Sequence, residues 1–161
     1  MIALTGFILF CIAAIAQAVY LFLRKKNPTA IFILPAGTIF LLVSIVERSV
    51  RIGFPAVTNT YEALVFLSAI TGAILFIYSL VAAPYPFSQR VTGEVDGENH
   101  GDSSGFLLFG GEMVVILLLS LASSPLVPDT VRPPVPALQS AWLVFHVIFA
   151  FIGESFFAVA F

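Results

Sequence analysis

Charge is what this chain has least of: 7 Lys and Arg and 9 Asp and Glu among 161 residues, 10% in all, where a soluble domain carries roughly 25%. A fold with so few charges cannot cover a water-facing surface, so the soluble class is excluded. The net charge of −2 and the lack of any basic aromatic surface leave nothing that would hold a nucleic acid. The single cysteine, Cys11, permits neither an intrachain disulfide nor a paired-thiol redox motif. It reads as a small apolar filler inside a helix. Histidine occurs twice. His100 stands among acids in a polar loop, without the ligand spacing that a metal site needs.

What the chain has instead is long apolar runs. Hydrophobic residues make up 60%, Phe alone supplies 17, and the mean hydropathy is +1.07. Five runs approach the roughly 20 residues that cross a bilayer: about 3–23, 30–46, 63–83, 106–122 and 141–161. They are too long and continuous for strands, and barrel strands would alternate. The expected fold class is an all-α polytopic membrane helix bundle, one transmembrane domain over 1–161 in a lipid bilayer. The first run lacks a basic start, and Arg24, Lys25 and Lys26 follow it rather than precede it, so it reads as a retained helix, not a secretory signal. Pro35 and Gly37 predict a kink in the second. Segment 91–105, mostly Gly, Ser, Asp and Glu with one Asn-His pair and almost nothing apolar, predicts a flexible loop. The basic cluster after the first helix places that loop inside and the N-terminus outside.

Few residues are left for chemistry. Arg48 and Arg51, three apart, would share a face on a helical turn, where a pair of arginines at a membrane surface suits carboxylates or phosphates. They serve equally as interfacial anchors neutralised by Glu47 and Glu62. Asn59 and Glu62 open the third run as a polar cap and a first-turn carboxylate. Segment 123–140 holds five prolines, a stiff connection. Trp142 then marks the interface, as an anchor or as one wall of a flat pocket. His146 lies about one and a half turns inside the fifth run. An ionisable ring there marks a binding site by default, and haem iron suits a single histidine from one helix plus a second from elsewhere. Arg48 and Arg51 are then candidates for the propionates. Glu112 and Glu154 are carboxylates inside spans, Glu154 roughly 12 Å beyond His146 and about 80° round the helix. Such groups are usually paired, and as a buried pair they would form a proton relay.

Two stretches carry a resemblance. Arg51-Ile-Gly-Phe-Pro-Ala-Val-Thr-Asn-Thr-Tyr-Glu-Ala-Leu-Val-Phe-Leu67 resembles the segment that opens the third helix of the cytochrome c biogenesis haem-handling membrane proteins of the CcsA/ResC type. Pro136-Ala-Leu-Gln-Ser-Ala-Trp-Leu-Val-Phe-His-Val147 resembles the same family's segment ending in its first external haem-ligating histidine. The resemblance implies a plasma-membrane (inner-membrane) protein that binds haem b and presents it at the outer face for attachment to apocytochrome c. His146 would be an axial ligand of the haem iron. It also implies partners: a further half or partner chain carrying a tryptophan-rich loop and the second histidine, and a biogenesis partner with a periplasmic domain. The chain would then be an N-terminal portion of a larger haem-handling protein, and at most part of a cytochrome c haem lyase or synthetase complex. This chain departs from the pattern in having one Trp and no second external histidine. The rival expectation is a small membrane subunit of an ion or solute transporter, with Glu112 and Glu154 as the relay.

Overall fold

The computed structural model describes residues 2–23, 27, 29–82, 100–128, 130, 136 and 139–160, with the side chains of 100–104 left aside. Among these, five α-helices and no strand occur: α1 (Ile2–Phe22), α2 (Ala30–Ile52), α3 (Thr60–Ala82), α4 (His100–Ala122) and α5 (Ala141–Ala160). Each is long and apolar enough to cross a membrane, as the runs predict. Two boundaries move. α2 continues six residues past 46 and carries Glu47, Arg48 and Arg51 on its last turns. α4 begins at His100 rather than at 106, so the last part of the polar segment is helical. Residues 91–99, and the cluster Arg24 to Lys26, lie outside the described residues.

Local chemistry explains the ends. α2 stops where Gly53 takes the left-handed conformation (φ 74°) and donates its N–H to the Ser49 carbonyl at 2.9 Å, a form glycine adopts without the Cβ penalty. α2 runs unbroken through Pro35. Near the other end of the bundle, Gln17 of α1 donates to the Gly105 carbonyl of α4 at 3.1 Å and accepts from Asn27 at 2.9 Å.

The first four helices close into a ring: α1 packs on α2 and α4, and α3 on α2 and α4. Glycines set the close approaches. A Cβ on Gly72 of α3 would stand 2.6 Å from Phe10 Cζ and 2.7 Å from Thr38 Oγ1. One on Gly111 of α4 would stand 2.4 Å from Leu75 Cδ2. Small residues are how membrane helices come close enough to gain dispersion energy, since lipid offers no hydrophobic drive between helices. Phe10, Leu34, Leu41, Leu75 and Val115 fill the resulting core.

α5 lies outside the ring, chiefly against α3. Phe66 and Phe151 sit 6.0 Å apart between ring centroids, and Thr71 and Ser155 share a hydrogen bond of 3.1 Å. Both pairs rise together along the sequence, so α3 and α5 are parallel. Ser155 is the one fully buried residue of α5.

Candidate functional site

The parallel packing of α3 and α5 sets depths. His146 precedes Ser155 by nine residues and Glu62 precedes Thr71 by nine, about 14 Å in each helix. His146, Tyr61 and Glu62 therefore share one level, at the end of the bundle where α1, α3 and α5 begin. Arg48, on the last turns of α2, belongs to the same end.

At that level Arg48 is turned inward. Its Nη2 donates to Glu62 Oε1 at 3.4 Å, its guanidinium carbon lies 4.6 Å from the Tyr61 ring centroid, and the side chains are 15% and 2% exposed. Glu62 also accepts the Asn59 backbone N–H at 3.4 Å, one half of a capping box. The Asn59 amide does not cap α3 but donates, over 3.5 and 3.4 Å, to the carbonyls of Pro128 and Thr130. The expected cap residue instead ties the α4–α5 connection to the start of α3. A carboxylate and a guanidinium so buried need each other, since stranding one leaves an uncompensated charge.

Arg51 does not join them. It pairs with Glu47, one turn back on α2, and is 64% exposed. Arg48 is turned toward α3 and Arg51 toward the surface, and the neutralisation by Glu62 and Glu47 expected of the two arginines is formed.

Trp142 and His146 are both exposed, on the side of α5 away from its buried Ser155. Successive residues turn 100°, so Trp142, Phe145, His146, Phe149, Phe156 and Phe157 fall within about 60° of one line. His146 thus presents its ring to open space amid flat apolar surfaces, which fits an iron ligand flanked by a macrocycle. The other half of the expected site does not converge on it, because Arg48 faces into the bundle and His146 out of it.

The two span carboxylates part company as well. Glu112 is fully buried in α4, and neither carboxylate oxygen has a hydrogen-bond partner. Glu154 is exposed on α5. The buried pair expected of them is not formed, because the eight-residue step from His146 leaves Glu154 on the uncovered side of its helix.

Three features escaped the sequence reading. One is the Tyr61 ring over the Arg48 guanidinium; the pairing of Arg48 with Glu62, like that of Arg51 with Glu47, is the neutralisation that the sequence offered. Another is the burial of the hydroxyls of Thr38, Ser68, Thr71 and Ser155, signalled by hydroxyl residues within apolar runs, which tend to face other helices. The third is a cavity of about 460 Å³ between the starts of α1 and α3 and the end of α4, with Phe7, Tyr61, Leu119 and Ser124 in its wall. His146 is not part of that wall.

The chain is similar to the cytochrome c biogenesis protein CcsA of Prochlorococcus marinus, with 30% identity over 129 residues, 77% of this chain. It spans about a third of that relative's length, 34%. No protein-family model matches the chain, and no solved structure does.

Proposed function

We propose that this multi-pass membrane protein acts in cytochrome c maturation, where His146 ligates the iron of haem b and the bundle holds the haem at the outer face for attachment to apocytochrome c. The observation that carries this reading is the histidine itself, exposed within a span on an aromatic face of a chain similar to CcsA. An uncovered imidazole about 7 Å from the middle of α5 is expensive unless something engages it, and a neutral imidazole is an iron ligand. The work is ligation and presentation, not acid–base catalysis.

Arg48, held by Glu62 and Tyr61, is poorly placed to clamp a propionate, so Arg51 is the reachable arginine. The second axial ligand belongs to a tryptophan-rich segment outside this chain, and a biogenesis partner with a periplasmic domain supplies the apocytochrome. The N-terminus is outside and the membrane is the plasma membrane. The transporter alternative finds no support, because Glu112 and Glu154 do not meet.

The test is an absorption titration of the detergent-purified chain with haem, wild type against His146→Ala, repeated with the segment corresponding to the rest of CcsA co-expressed. A Soret band that His146→Ala removes is the expected result. A band of equal height in both proteins, in both settings, would falsify the assignment of His146.

A further inference from the structure

α1 and α3 stand on opposite sides of the helix ring. At the end where both begin, the cavity of about 460 Å³ lies between them, closed on a third side by the end of α4. That volume falls in the range of small-molecule sites. It straddles two environments. Phe7 and Val65 of its wall stand five residues inside α1 and α3, about 7 Å into the apolar layer. Pro128 of its wall stands beyond the end of α4, where the Asn59 amide holds its carbonyl. Among the described residues the wall carries no Lys, Arg, His, Asp or Glu, so what fits it is uncharged within the cavity.

Two residues of the wall narrow the chemistry. The backbone of Ser124 is spent on a turn: its N–H donates to the Leu121 carbonyl and its carbonyl accepts from the Val127 N–H, both at 3.1 Å. The Ser124 hydroxyl is left over, buried and without a hydrogen-bond partner. A buried hydroxyl loses its hydration without return unless it finds a partner, and this one lines the cavity. Leu4 lines it too, and is 55% exposed. Leu4 begins the row Leu4, Ile8, Ile12, Ile15 and Val19, the exposed and wholly aliphatic side of α1. The cavity thus opens onto a surface that suits hydrocarbon tails.

From these we propose that the cavity holds the ester-linked neck of a bilayer lipid. An ester carbonyl accepts the Ser124 hydroxyl, one tail passes Leu4 and lies along the aliphatic side of α1, and the headgroup stays outside the uncharged wall. An ester carbonyl is the acceptor that a bilayer itself carries at the boundary between its apolar and polar layers, which is the depth of this cavity. Haem is the poorer occupant, because the wall offers no imidazole, thiolate or thioether for iron and no cation for propionates. The lipid braces α1 against α3 across the mouth of the ring. It also backs the Tyr61 ring, which shares the cavity wall and covers Arg48. His146 is not in the wall, so this site stands apart from the haem reading.

The test extracts the full chain from its membrane in mild detergent and reads bound lipid by native mass spectrometry. Leu119→Trp fills the cavity from its wall, and Leu117→Trp, at a position 65% exposed on the same helix, is the control. The expected result is one diacyl lipid retained by the wild type and by Leu117→Trp, and lost from Leu119→Trp. The delipidated wild type and Ser124→Ala are then given dioleoylphosphatidylcholine or its diether analogue, which has no ester carbonyl. The wild type should bind the diether lipid about fivefold more weakly than the diester, the size of one hydrogen bond. Ser124→Ala should weaken the diester to the same extent and leave the diether unchanged. That variant deletes one oxygen beyond the last turn of α4, so this half of the test stands even where Leu119→Trp does not fold. The proposal is overturned if the wild type neither retains nor rebinds lipid, if a folded Leu119→Trp retains as much as the wild type, or if diester and diether bind both proteins alike.

Discussion

At one depth in the bundle, Arg48 and His146 meet their surroundings in opposite ways. Arg48 is received by its own chain: Glu62 takes its charge, the Tyr61 ring covers its face, and little of it reaches the surface. His146, level with that pair on the neighbouring helix, is given nothing comparable and lies exposed on the far side of α5. The difference separates two uses of polarity in an apolar protein. Where the chain satisfies a polar group itself, the group holds helices together. Where the chain leaves one open inside a span, the desolvation cost is what the proposed haem ligation would offset.

Mutations can break this contrast from either side, and the effects should descend as follows. Largest is the functional loss in His146→Ala. Cytochrome c assembly, read as haem-stained protein in cells, falls to background, while the melting temperature of the purified chain is unchanged. A drop in melting temperature of several degrees would instead place His146 among the packing residues.

Next is Glu62→Ala, which strands the Arg48 charge. It should cost about 3–5 kcal/mol, read by denaturant unfolding in detergent, and a loss under about 1 kcal/mol would mean that Arg48 finds water instead. Gly72→Ala follows. Its Cβ would press on Phe10 and Thr38, and overpacking of this kind costs about 1–3 kcal/mol in the same assay. Thr71→Val removes the bond to Ser155 and should cost about 0.6 kcal/mol, the usual size of such bonds between membrane helices. It should also loosen α5 selectively, which protease sensitivity of the α4–α5 connection would show. The smallest effect belongs to Arg51→Ala, whose exposed pair with Glu47 is worth no more than about 0.5 kcal/mol. A larger loss would show that Arg51, too, is held by the fold.

Much of the architecture was legible in the residues. The five spans follow from run length alone, and the α2–α3 junction and the His146 helix fell close to where the resemblance put them. The misjudged boundaries have a common cause. Arg48 and Arg51 near one end of α2, and Gly, Ser and Asp in the first turns of α4, look like loop residues by polarity, yet a backbone can stay helical beyond the apolar layer. The supposed relay failed for another reason. Glu112 and Glu154 are both carboxylates in apolar runs, and nothing local distinguishes the one on a ring-lining helix from the one on the outer face of α5.

Sequence by itself determined that this chain is a membrane helix bundle, with five helices among the described residues long and apolar enough to cross and one histidine inside a span, because hydrophobic length and residue identity are properties of the chain taken in order. Only the tertiary structure decided that Arg48 is spent on Glu62 while His146 and Glu154 stay open. That outcome depends on which helix stands beside which and how each is turned, and a turn of 100° per residue carries no local mark of what lies opposite.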